Sequence, residues 1–190
     1  MNAVPPSPPD TGARPPAARS RRGLLVGAGA LAAAAGAGLA WWRLRPHALE
    51  AGAEDGFWSL QFPAPDGATL PMSRFRGGPL LLNFWATWCP PCIEELPMIN
   101  GFFRQQRANG WQVLGLAVDQ PAAVQRFLAR QPLDFPVALA GLPGTELSRS
   151  LGNLTGGLPF TVVFDAGGQV RQRKMGQLTP ADLAAWSTPG

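Results

Sequence analysis

The distribution of apolar and polar residues divides the chain into three regimes. Residues 1–22 are rich in Pro, Ala and Arg, and no apolar period runs through them. Such a segment has nothing to pack against and reads as disordered. Leu24 to Trp42 is a run of nineteen residues without a charge. As a helix it would reach about 28 Å, close to the ~30 Å of bilayer hydrocarbon. From Phe57 onward, short apolar runs alternate with stretches of helical period.

Phe57 to Phe62 predicts a short strand, and Asp66-Gly67 a turn leading into Leu70 to Phe75. Pro79 to Trp85 is almost continuously apolar, as in a strand buried on both faces. Pro91 to Asn109 predicts a helix stopped by Gly110. Val113 to Val118 predicts a second buried strand, and Ala122 to Arg130 a helix with Val124, Phe127 and Leu128 on one face. Pro136 to Leu139 reads as extended, and Glu146 to Leu151 as a short helix. Phe160 to Phe164 is a β-branched strand, turned by Asp165-Ala166-Gly167-Gly168 into Gln169 to Lys174. Thr179-Pro180-Ala181-Asp182 has the form of a helix start, opening a last helix that runs to Trp186. Strands alternating with helices predict an α/β fold of three layers. Its mainly parallel sheet is covered on both faces, and the closing hairpin forms an antiparallel edge.

The charges around the apolar run give it a direction. Arg14, Arg19, Arg21 and Arg22 precede it, while Arg43 and Arg45 follow, with Glu50, Glu54 and Asp55 beyond. This excess predicts that residues 1–22 stay on the cytoplasmic side and the rest crosses. Trp41 and Trp42 fall where an interfacial anchor belongs. Residues 23–42 are either a permanent transmembrane anchor or a cleaved signal. Twelve of the nineteen apolar positions are Ala or Gly, weak for an anchor, and Ser20-Arg21-Arg22-Gly23-Leu24-Leu25 resembles a twin-arginine export signal. Ala51-Gly52-Ala53 offers a small-x-small cleavage site, but Arg43 and Arg45 argue against easy processing. The chain is thus divided into 1–22, 23–42, a linker 43–56 and a folded domain 57–190 whose expected location is periplasmic.

Composition removes several function classes. Two cysteines and one histidine exclude a disulfide-stapled scaffold and a zinc site built from this chain's Cys and His. The net charge of +4 comes from scattered arginines and few acids, with no groove-reading motif, so no nucleic-acid partner is expected.

The chemistry concentrates at Trp88-Cys89-Pro90-Pro91-Cys92, which follows the buried strand and opens a helix. Unpaired N–H groups and a partial positive charge at a helix start stabilise a thiolate, so the pKa falls below the usual thiol value. Two intervening residues put both sulfurs on the first turn. Cys89, ahead of the helix, is expected to be exposed and to attack; Cys92, one turn in, is expected to be shielded and to resolve the mixed disulfide. Pro90 and Pro91 suit a first turn, where a missing N–H costs little. A c-type haem needs a histidine after the second cysteine, where Ile93 stands, and His47 alone could complete no zinc site. No cofactor and no metal are called for.

The segment Asn83-Phe84-Trp85-Ala86-Thr87-Trp88-Cys89-Pro90-Pro91-Cys92 resembles the active-site segment of the thioredoxin superfamily. More narrowly, it resembles the membrane-anchored, periplasm-facing TlpA, ResA and DsbE-like branch. The likeness covers residues 57 to 188. Cys92-Ile93-Glu94-Glu95-Leu96-Pro97 matches that branch's Cys-x-x-Glu-x-Pro. Leu114 to Asp119, the helix after it and Phe135-Pro136-Val137 match its central insertion, and Gly157-Leu158-Pro159-Phe160-Thr161 its loop before a strand. The resemblance implies a thioredoxin-like fold and a redox-active Cys89–Cys92 disulfide. It also implies a cis Leu158–Pro159 bond beside Cys89, with Leu158, Pro159 and Trp88 at the substrate-binding rim. Gly156 and Gly157 would admit another backbone there. It implies an exported thiol–disulfide oxidoreductase reducing selected client proteins in cytochrome c maturation or oxidase and copper-site assembly. A membrane thiol reductase would restore the dithiol.

Asn83 departs from the pattern, since many thioredoxins carry there a buried aspartate that handles the proton of the resolving cysteine. Glu95, three residues beyond Cys92, and Asp119, ending the next strand, are the candidate proton carriers; a surface carboxylate is the alternative for each. Pro97 inside the helix predicts a kink. Trp85 is expected in the core and Trp88 at the rim. Two other functions remain open. A thiol peroxidase of the same fold is opposed by Thr87 lying two rather than three residues before Cys89. A non-enzymatic copper or client carrier could draw on Met72 and Met98 as soft ligands.

Overall fold

The computed structural model describes residues 53–187. The segments 1–22 and 23–42, and the linker up to residue 52, lie outside the described residues, as do the export and anchoring expectations placed on them. Among the described residues no helix is long and apolar enough to cross a membrane.

The first element corrects the expected strand at Phe57 to Phe62. Ala53–Ser59 is a helix (α1), which takes in the end of the expected linker, and only Gln61–Pro63 is extended (β1). The reason lies in two adjacent aromatics. Phe57 and Trp58 are both buried in the same cluster, stacked or edge-on against Phe164 at centroid distances of 5.1 and 5.0 Å. Neighbours in a strand point to opposite faces, whereas neighbours on a helix both reach one surface. The Trp58 indole N–H also donates to the carbonyl of Gly168 at 2.9 Å. β1 pairs antiparallel with Thr69–Pro71 (β2), and a 3-10 turn, Met72–Phe75, follows.

Leu80–Trp85 (β3) is buried at every position and is the middle strand of a five-stranded sheet ordered β5-β4-β3-β6-β7. Gln112–Ala117 (β4) and Val137–Leu139 (β5) continue it in parallel. Phe160–Phe164 (β6) and Val170–Met175 (β7) continue it antiparallel. The sheet is therefore mixed, with equal parallel and antiparallel halves, rather than mainly parallel. The chain reverses through Gly144–Ser150 (α4) and the loop after it, so β6 enters against β3.

The two faces of the sheet carry separate cores. Leu81 and Trp85 of β3 face one cluster with Pro90–Gln106 (α2), Pro121–Arg130 (α3) and Pro180–Ser187 (α5), through Leu96, Ile99, Val124, Phe127 and Leu183. Leu80, Leu82 and Phe84 face the other, with α1, Met72, Phe75 and Leu151. The termini follow their residues. Pro91 and Pro121 lie in first turns, and Gly110 closes the turn after α2 at a φ of 86°. Before α5, the Asp182 N–H donates to Thr179 Oγ1, and Asp182 Oδ2 accepts from the Thr179 N–H and hydroxyl. This reciprocal cap is the one expected from Thr179-Pro180-Ala181-Asp182. α2 continues through Pro97 as a single helix.

Candidate active site

β3 delivers the chain to the site. The Trp85 carbonyl still accepts from the Val118 N–H at 2.8 Å, so the sheet holds the strand to its last residue. Cys89 is the residue that caps α2: its conformation is extended, and its carbonyl accepts the first helical bond, from the Ile93 N–H at 3.2 Å. Pro90 and Pro91 follow, where no N–H has an intrahelical partner to lose. Cys92 is one turn in and forms a disulfide with Cys89, with the two Cα atoms 5.3 Å apart.

The expected exposure of Cys89 is corrected. The residue is only 4% exposed and Cys92 not at all. Both cysteines lie in the cluster that contains Trp85, Ala86 and Leu96, against which Leu158 also packs. The residue open to solvent is Trp88, at 65%. The structure thus presents a tryptophan rim with a recessed disulfide, and Trp85 sits in the core as expected.

The loop before β6 has the expected cis Leu158–Pro159 bond, and Leu158 packs against the cluster that holds both cysteines. Its shape depends on Asn153, which sequence reasoning missed. That side chain is buried, and its Nδ2 donates to the Gly157 carbonyl at 2.8 Å and to Ser148 Oγ at 3.2 Å. An asparagine opening a glycine-rich turn was the available signal. Gly156, expected to admit a foreign backbone, faces this chain's own Arg149: an added Cβ would lie 3.0 Å from its guanidinium.

The two candidate proton carriers part company. Glu95 is 1% exposed, so the surface reading does not hold for it. Its Oε1 accepts from Asn83 Nδ2 at 2.8 Å and its Oε2 from the Leu178 N–H at 2.6 Å. Burial pushes its pKa above the ordinary carboxylate value, and the two donors partly oppose that. It lies one helical turn beyond Cys92 on α2. Asp119 is otherwise engaged. Its Oδ2 accepts from both the N–H and the hydroxyl of Thr87, at 2.8 and 2.5 Å, and its Oδ1 from the Gln120 N–H. It fastens the loop ahead of Cys89 to the end of β4.

The soft ligands of the carrier hypothesis are not brought together. Met72 is buried in the cluster on one face of the sheet, and Met98 packs against the cluster on the other. The Thr87 hydroxyl donates to Asp119, which engages the group the peroxidase reading considered.

Comparison with known proteins agrees with this geometry. The sequence model of the Redoxin family matches residues 53–185. The thiol–disulfide oxidoreductase ResA of Bacillus thuringiensis subsp. konkukian is 32% identical over 119 residues, covering 62% of this chain. The match spans 66% of that protein's length, just under two thirds. A crystal structure of a thiol:disulfide interchange protein from Chlorobium tepidum is 30% identical with a TM-score of 0.58, covering 67% of this chain and 89% of that one. StoA from Bacillus subtilis shares the fold at a TM-score of 0.56 and 22% identity, over 68% of this chain and 96% of its own. Fold, paired cysteines at a helix start, a cis proline leading into β6 and these relatives agree: the chain belongs to the Redoxin family of the thioredoxin superfamily, on its ResA- and DsbE-like side.

Proposed function

We propose that the chain is an exported thiol–disulfide oxidoreductase that reduces disulfides of selected client proteins. The cycle starts from the dithiol. The Cys89 thiolate attacks one sulfur of a client disulfide, and the other client sulfur leaves as a thiolate. Cys92 then gives its proton to Glu95 and attacks the Cys89 sulfur of the mixed disulfide. The second client sulfur leaves, two electrons have passed to the client, and the Cys89–Cys92 bond closes. The observation that carries this reading is the Cys89–Cys92 disulfide on the first turn of α2, below the exposed Trp88. A helix start is where a thiolate is stabilised before attack and where it is a good leaving group afterwards.

The client class follows from the resemblance to the ResA- and DsbE-like branch, and the location from the sequence of residues 1–56. Clients are proteins of cytochrome c maturation or of oxidase and copper-site assembly, contacted by Trp88 and the Leu158–Pro159 turn. A membrane thiol reductase returns the two electrons, because the periplasm is kept oxidising. The domain faces the periplasm, held by residues 23–42 or released by cleavage beyond them, at Ala51-Gly52-Ala53. Capture of partners by the Cys92→Ser chain in intact cells tests all of this. Disulfide-linked c-type apocytochromes or oxidase subunits support it. Capture by Cys89→Ser instead would reverse the roles of the two cysteines, and capture of neither class would remove the client assignment.

A further inference from the structure

Within the six-residue run of β3, Asn83 is the one polar residue, and it is wholly buried. Desolvating an amide in such a strand is costly unless its groups are bonded. Its Nδ2 donates to two acceptors: Glu95 Oε1 at 2.8 Å on α2, and Thr161 Oγ1 at 3.0 Å on the neighbouring strand β6, directly opposite in the ladder. Its Oδ1 has no partner among the described residues. The amide is thus turned so that both N–H groups are used.

We propose that Asn83, held in this orientation by Thr161, is a positioning residue that keeps Glu95 ready to accept the proton of Cys92. The inference rests on the proton-carrier role given to Glu95 above. Two influences oppose each other at that carboxyl. Burial favours the acid, while donation from Asn83 and from the Leu178 N–H favours the carboxylate. A protonated Glu95 would need an acceptor on its Asn83 side. The amide could supply one only by turning over, which would leave two buried N–H groups without partners instead of one bare carbonyl oxygen. Orphaned buried N–H groups are the rarer and costlier of the two. Asn83 therefore biases Glu95 toward the base, and does so without carrying a proton itself. The charged groups on the surrounding elements leave this balance to the neutral donors. Lys174 of β7 and Asp182 of α5 are paired with each other at 3.1 Å, and Glu94 of α2 is at the surface.

The test follows the lifetime of the mixed disulfide formed between the reduced full chain and oxidised glutathione, quenched with acid and read by mass spectrometry across pH. In the unmutated chain its decay should quicken with pH as Glu95 loses its proton. In Asn83→Leu that limb should move to higher pH by about one unit, making decay about tenfold slower at pH values below both midpoints. Asn83→Ala should move it the same way. A limb that stays in place in both, while Glu95→Gln abolishes it, overturns the role of Asn83 alone. A limb that survives Glu95→Gln overturns the proton-carrier reading itself. Should the Asn83 variants not fold, the Asn83 side-chain amide resonances of the unmutated reduced chain decide by heteronuclear NMR. They should shift with the midpoint of the decay limb, and resonances that do not move across it overturn the proposal.

Discussion

Asp119 and Thr87 are joined twice through a single oxygen: Oδ2 accepts the Thr87 N–H at 2.8 Å and the Thr87 hydroxyl at 2.5 Å. The pair ties the C-terminal end of β4 to the residue two places before Cys89, so it bears on where the attacking sulfur stands. Asp119→Ala should lower the exchange rate of Cys89 and cost about 1–3 kcal/mol of stability. Asp119→Asn, which keeps an acceptor oxygen, should lose less. Neither should displace the acidic limb of the resolving step. A displaced limb in a pH series of exchange rates would make Asp119, and not Glu95 alone, a carrier of that proton.

The two cysteines should separate cleanly in function. Cys89→Ser should abolish reduction of insulin disulfides, whereas Cys92→Ser should retain the first attack and accumulate mixed disulfide with oxidised glutathione. Non-reducing mass spectrometry reads both. The disulfide leaves neither sulfur as a thiol, so modification by a bulky thiol reagent follows reduction, and should then occur at Cys89, ahead of α2, before the wholly buried Cys92.

Glu95 ties stability to pH. Its folded-state pKa is raised above the ordinary value of 4.5 by burial. A group of this kind contributes stability that is fully present below its unfolded value and is lost as pH rises through its folded value. The oxidised chain should therefore lose melting temperature relative to Glu95→Gln across a window opening at 4.5 and extending upward. A constant difference between the two proteins at every pH would show that Glu95 is as readily ionised in the fold as outside it.

The contacts of α1 make a mechanical prediction. Phe57 is buried and stacks on Phe164 of β6. Phe57→Ala should cost about 3–5 kcal/mol, measured by denaturant unfolding. Exchange by the folded fraction should be unchanged, because α1 belongs to the core on the face of the sheet away from Cys89 and Cys92. A fall in specific activity without loss of stability would contradict that separation.

What could be read from the residues depended on the range of the forces involved. The buried strand Leu80–Trp85, the helix start at Pro90 and Pro91 and the cap at Thr179 and Asp182 are local features, and all were legible. The hairpin at Asp165 to Gly168 was legible too, since its turn is closed by its own aspartate. α1 was not, because Phe57-Trp58-Ser59-Leu60 carries no decisive period and its helical form is set by Phe164, more than a hundred residues away. The antiparallel entry of β6 was hidden for a similar reason: direction is decided by the path of the connecting loop rather than by the strand's composition. At the site, the sulfur pair and the tryptophan rim were visible in one short motif. The meaning of Asn83 was not, since it exists only where β3, β6 and α2 meet.

The central place of β3 has a consequence for how the molecule tolerates its own turnover. Its ladders on both sides and the cores above and below make it the least deformable part of the domain. The cysteine loop is mounted directly on that foundation, so opening and closing the sulfur bond should leave the strand beneath it in place. Amide hydrogen exchange along Leu81 to Phe84 should accordingly be slow and the same in either redox form, leaving the partner protein to supply whatever bending the encounter needs.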